Sequence, residues 1–139
     1  MVLRGHKLSY DMIQTVYPYL WAEIFPHIEY NANIPIWVYV FFNDKNEYVG
    51  FLSGRPTSKE TIDIQWAGIV EKHRGIYSLP IFMLAIEFIH KDYKNIMGKV
   101  HNENIVALKL AMQAGFRIFG IRTFAGVVLV ELLKINKEA

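Results

Sequence analysis

The chain has 139 residues, 53% of them hydrophobic and 14% aromatic, which fits one packed domain over residues 1–139 and argues against disorder. Its 15 basic and 13 acidic residues leave a formal charge of +2, too balanced for the basic stripe of a nucleic-acid binder. The absence of cysteine excludes a disulfide scaffold and a thiolate nucleophile, and histidines at 6, 27, 73, 90 and 101 lack HxxxH or HExxH spacing, so no metal is expected.

In chain order, VLRGHKL reads as a short opening strand. SYDMIQTVYPYLWAEIF carries a helical pattern with Ser9 as N-cap, and Pro18 is expected to divide it into two short helices. The aromatics Tyr10, Tyr17, Tyr19, Trp21 and Phe25 match core spacing on that segment. After the loop YNANIP come three strands, IWVYVFF, YVGFLSG and TIDIQWAGIV, separated by the turns NDKNE and RPTSKE. They form an antiparallel meander whose first strand is apolar on both faces. At Ser78 the period changes. SLPIFMLAIEFIHKDY is apolar almost all round and predicts one helix buried against the sheet, with Ser78 as its cap.

NIMGKV is a further strand, and NENIVALKLAMQAG a second amphipathic helix closed by Gly115. FRIFGIRTF and GVVLVELLKI then pair around Ala125-Gly126. The order β-α-α-β-β-β-α-β-α-β-β defines an α+β domain with a mixed sheet flanked by helices. The N-terminus MVLRGHKLSYD has no apolar run behind its basic residues, and the longest apolar stretches are too short to span a bilayer. A soluble, cytoplasmic protein without a membrane partner is expected.

This order resembles that of the GNAT superfamily of N-acetyltransferases over nearly the whole chain, and residues 62–116 resemble it by motif. In that family the second of these helices typically reads N-x-x-A-x-x-L-Y-x-x-x-G-F, and Asn104, Ala107, Leu110, Gly115 and Phe116 stand at the matching offsets. GIVEKHRGIYSLP resembles the acyl-CoA diphosphate loop, Q/R-x-x-G-x-G/A, with Arg74-Gly75 in register and Tyr77 and Leu79 replacing the later small residues. A helix N-terminus suits diphosphate, because its first N–H groups are unpaired and its dipole end is positive. Taken alone, these residues also describe an ordinary strand-to-helix turn.

The resemblance implies acetyl-CoA as co-substrate. It would be bound by the backbone of Ile69 and Val70, splayed at a bulge near WAG, by Arg74, Gly75, Ile76, Tyr77, Ser78 and Leu79, and by Asn104. Asp63, sharing a strand face with Gln65, is the candidate general base. Where the family commonly places a catalytic tyrosine this chain has Ala111, expected to face the cleft one residue past a buried Leu110, and Tyr77 is a possible substitute donor. Tyr30, Trp37 and EYNANIP are the expected acceptor contacts.

Two functions follow from the resemblance. One is acetyl transfer to an amine of a small molecule or a protein. The other is a non-catalytic GNAT-like binding or assembly protein, similar to small phage-borne and virion-associated versions of the fold, with a protein partner or a second copy.

Overall fold

A computed structural model of the chain describes residues 2–29 and 37–137. Its sheet has seven strands: β1 (Leu3–Lys7), β2 (Trp37–Asn43), β3 (Tyr48–Pro56), β4 (Thr61–Ile69), β5 (Asn95–His101), β6 (Arg117–Phe124) and β7 (Val127–Ile135). Their spatial order is β1-β2-β3-β4-β5-β7-β6, with β4–β5 the parallel pair. The expected α+β mixed sheet is therefore present, and β4 is its middle strand.

Helix α1 (Tyr10–Ile24) packs on one face, while α2 (Ser78–Ile89) and α3 (Ile105–Gln113) share the other. Two apolar clusters result. Tyr39, Phe41, Leu52, Ile62, Ile96 and Leu132 meet Ile86, Ile89 and Ala111 on the α2 side, and Val38, Val40 and Phe51 meet Ile13, Tyr17 and Trp21 on the α1 side. Strand β2 contributes alternate residues to both clusters, the physical meaning of its continuous apolar run.

One expectation is corrected at Pro18. Residues Tyr10–Ile24 form a single helix with the proline inside it, so the order has one helix before β2 instead of two. Ser9 caps it as expected, its Oγ accepting from the Met12 N–H at 3.4 Å. The proline removes one hydrogen bond, to the carbonyl of exposed Gln14. Against that loss, Ile13, Tyr17, Trp21 and Ile24 form one buried stripe running across the proline, and dividing the helix would separate Ile13 and Tyr17 from Trp21 and Ile24. Tyr17 and Trp21 are core residues as expected, but Tyr10 and Tyr19 point to solvent.

Pro18→Ala restores the missing donor at a position already helical. We expect a gain of about 1–2 kcal/mol, less than the full interior proline penalty because the unfolded chain also becomes freer. Urea denaturation measures it, and a fall in stability would show that the pyrrolidine ring makes a packing contact worth more than the bond.

The remaining boundaries follow local chemistry. Asn104 caps α3, its Oδ1 accepting from the Ala107 N–H at 3.2 Å, and Gly115 at φ +102° turns the chain out of the helix. Ala125 and Gly126, both at positive φ, form the two-residue turn of the β6–β7 hairpin. Helix α2 stops at Ile89, His90–Asp92 continue as turns, and Tyr93 after them is buried.

Candidate functional site

Strands β4 and β5 pair only from Thr61–Ile64 against Asn95–Gly98, although β4 continues to Ile69 and β5 to His101. Beyond Ile64 and Gly98 they part and leave a wedge in the centre of the sheet. The bulge lies at Gln65, where the register with β3 shifts from Ser53↔Trp66 to Gly54↔Ile64, just ahead of the WAG expected from the sequence.

This extra residue reverses the alternation of β4. Ile62 and Ile64 face the α2 cluster, whereas Trp66 stacks edge-on against Trp21 and Phe25, and Gly68 lies under Ile24 of α1. The period-two reading that put Asp63 and Gln65 on one face does not carry across this bulge.

The ladder also decides which amides border the wedge. Val70 donates its N–H to the Val49 carbonyl at 2.7 Å, so that amide is committed to β3. Alternation then turns the N–H and C=O of Ile69 and Ala67 toward the wedge. The Ile69 carbonyl accepts from Arg74 Nε at 2.7 Å, and Arg74 Nη2 donates to the Ile24 carbonyl at 3.4 Å. The guanidinium thus ties the end of β4 to the end of α1.

After a 3-10 turn at Glu71–His73 the chain enters the loop before α2. Gly75 has φ +94°, and a Cβ built there meets nothing within 4 Å, so the requirement for glycine is conformational and the position opens to solvent. Ser78 is the first helical residue instead of the cap. Its Oγ accepts from Gly75 N–H at 3.1 Å while its own N–H donates to the Gly75 carbonyl at 3.0 Å. This closes the loop into a small ring. Pro80 has no donor, and among the described residues the N–H groups of Ile76, Tyr77 and Leu79 have no protein acceptor. The loop therefore offers three free amides at the positive end of a 12-residue helix.

The other expected residues are dispersed. Ala111 is 6% exposed and packs in the main cluster, while Leu110 is only partly buried, so the alanine occupies the core position expected for its neighbour. Tyr77 borders a hollow with His73, Ile81 and Glu47, on the β3 side of β4 and away from the wedge. In that hollow Glu47 is ion-paired to Lys72 and accepts from Asn43 Nδ2 at 3.0 Å. The hydrogen bonds from Lys72 and Asn43 bring its carboxyl down to about 2.

Asp63 makes a 3.4 Å pair with Lys99 of β5, beside the point where the strands part. Lys99 carried no signal in the sequence, since the β4–β5 register alone places it there. Trp37 lies beneath the Lys7 ammonium and against Tyr93, in the main cluster on the α2 side. Tyr30 and residues 30–35 of the expected acceptor segment lie outside the described residues. Among the described residues no group of three or more histidine, aspartate or glutamate side chains could hold a metal ion.

A mixed seven-stranded sheet opened between its parallel middle strands, with a glycine loop leading into a helix at the opening, is the GNAT fold, and this chain has it. The spermidine N-acetyltransferase of Vibrio cholerae, solved with CoA and spermine, superposes with a TM-score of 0.69 at 14% identity, over 96% of this chain and 95% of that one. A GNAT family acetyltransferase from Elizabethkingia anophelis, solved with acetyl-CoA bound, superposes at 0.59 with 18% identity, over 96% and 98%. No protein-family model matches the sequence, and no curated protein matches it by sequence.

Proposed function

We propose that this protein binds acetyl-CoA in the β4–β5 wedge and transfers the acetyl group to a small-molecule amine. One observation carries the reading: the wedge, bordered by the Ile69 N–H and by the N–H and C=O of Ala67, runs into a loop whose Ile76, Tyr77 and Leu79 amides lack acceptors. The loop amides and helix end would hold the diphosphate, with Gly75 keeping the backbone accessible. The Ile69 N–H and the Ala67 N–H and C=O would hold the pantetheine arm as an added strand edge. Val70 would contribute only its side chain, and Arg74 would fix the loop and turn its remaining N–H groups outward. Asn104, whose Oδ1 is used in capping, would contribute through its amide NH₂.

In the reaction the amine nitrogen attacks the thioester carbonyl, a C–N bond forms, the C–S bond breaks and CoA leaves as thiolate. Backbone N–H groups at the wedge stabilise the developing oxyanion. Asp63 would take the ammonium proton, directly or through water, with Lys99, 3.4 Å from its Oδ2, orienting the carboxylate. The thiolate would take its proton from water, since Ala111 is buried and the Tyr77 side chain lies on the other side of β4.

The buried alanine supports a second reading, an acyl-CoA-binding protein without turnover that acts by assembly. Among the described residues no helix is long and apolar enough to cross a membrane.

Thermal melting with acetyl-CoA tests the shared part of both readings. A ligand at a hundredfold excess over its dissociation constant stabilises by roughly 2.7 kcal/mol. No shift at millimolar acetyl-CoA would remove the co-substrate. A shift without CoA thiol release over a panel of monoamines, diamines and polyamines would select the non-catalytic reading.

A further inference from the structure

The two edges of the sheet differ in chemistry. Strand β1 presents Arg4, His6 and Lys7 within five residues, the charged cover that keeps an edge strand from pairing with other chains. Strand β6 has no such cover. Ile118, Phe119, Ile121 and Phe124 are 53%, 49%, 69% and 71% exposed, and its only charges are Arg117 and Arg122. Arg122 is already engaged inside the protein, its Nη2 3.7 Å from Glu131 Oε2.

The backbone of this edge is open as well. Asn102 donates to the Val128 carbonyl, so Val128 faces β5 and its neighbours Val127 and Leu129 face β6. These pair with Phe124 and Arg122, and alternation leaves the N–H and C=O of Ile121 and Thr123 on the outer side, where no described strand meets them.

We propose that β6 pairs antiparallel with β6 of a second copy, making one continuous sheet across a two-fold axis at Ile121. The open backbone pairs and the charges select both occupant and register. Only alignments that match outward residues with outward residues make ladder bonds. The alignment of Ile121 with Thr123 would set Arg122 against Arg122, a repulsive pair. The alignment of Ile121 with Ile121 sets Arg122 against Gly120, where there is no side chain to clash, and buries the most exposed isoleucine of the strand against its equivalent. Because Glu131 of the same chain offsets part of the Arg122 charge, the surface requires no acidic partner and is self-complementary, as a two-fold interface must be.

Sedimentation velocity on the full chain across about 1 to about 100 μM tests this, a range that brackets a micromolar dissociation constant. The expected result is a concentration-dependent species of twice the 16.2 kDa chain mass. Ile121→Lys places like charges across the axis and is expected to shift the species to monomer with unchanged monomer melting, since the side chain is solvent-exposed. Thr123→Pro removes an outward N–H that β7 does not use, and is expected to do the same independently. A monomeric wild-type chain over the whole range overturns the proposal. So does a dimer that persists in either folded variant, which would put the interface elsewhere.

Discussion

Gly75→Asp is expected to reduce acetyl-CoA affinity at least tenfold in a protein that remains folded. Two effects act together. The residue sits at φ +94°, where a Cβ is disfavoured whatever the space around it, so the loop must relax and the Ile76, Tyr77 and Leu79 amides lose their common direction. The strain amounts to about 1–2 kcal/mol, taken from stability or from loop order. The carboxylate then stands beside the position of the diphosphate, and unlike the strain this repulsion weakens as salt is raised.

Gly75→Ala separates the two effects, carrying the strain without the charge, and should lose less affinity than the aspartate. Isothermal titration with acetyl-CoA, alongside urea unfolding of each variant, supplies the comparison. Equal affinity for wild type and folded Gly75→Asp would remove the loop from the binding site and leave the wedge alone to hold the ligand.

Ala111→Tyr is expected to lose about 3 kcal/mol or more of stability, at or beyond the upper end of ordinary overpacking. On the pattern of the resemblance a phenol at this offset would complete a catalytic set. In the fold the alanine is buried with Ala114 and Phe116 where α3 approaches α2, and its carbonyl accepts the Phe116 N–H at 3.0 Å. A ring there would have to displace α3 or adopt a strained rotamer. Urea denaturation measures the loss. A variant with unchanged stability and a raised transfer rate would show that the side chain escapes toward the wedge, and that the buried alanine is a removed catalytic group.

Much of the fold is legible because it is set by interactions a few residues apart. The Gly115 exit and the Ala125-Gly126 turn each depend on one backbone conformation and stand where the sequence places them, and the Asn104 cap is equally local. The β2–β3–β4 meander and the apolar α2 follow from periodicity in the same way, and order alone makes β4 the central strand. The glycine loop is also local, since a positive φ at Gly75 and a following helix suffice to define it.

What the sequence leaves undetermined depends on partners far along the chain. Pro18 reads as a break until the stripe from Ile13 to Ile24 is seen to be buried as one surface against β2 and β3. Gln65 carries no sign of a bulge, because a bulge is a relation between two strands. Yet it decides that Trp66 joins α1. The wedge exists only because β5 leaves β4 after Gly98, and the identity of its open amides follows from one ladder bond, Val70 to Val49. Ala111 and Leu110 are adjacent small and large apolar residues on an amphipathic helix. Which of them turns inward is set by the approach of α3 to α2, a nonlocal packing choice that hydrophobicity by itself cannot rank.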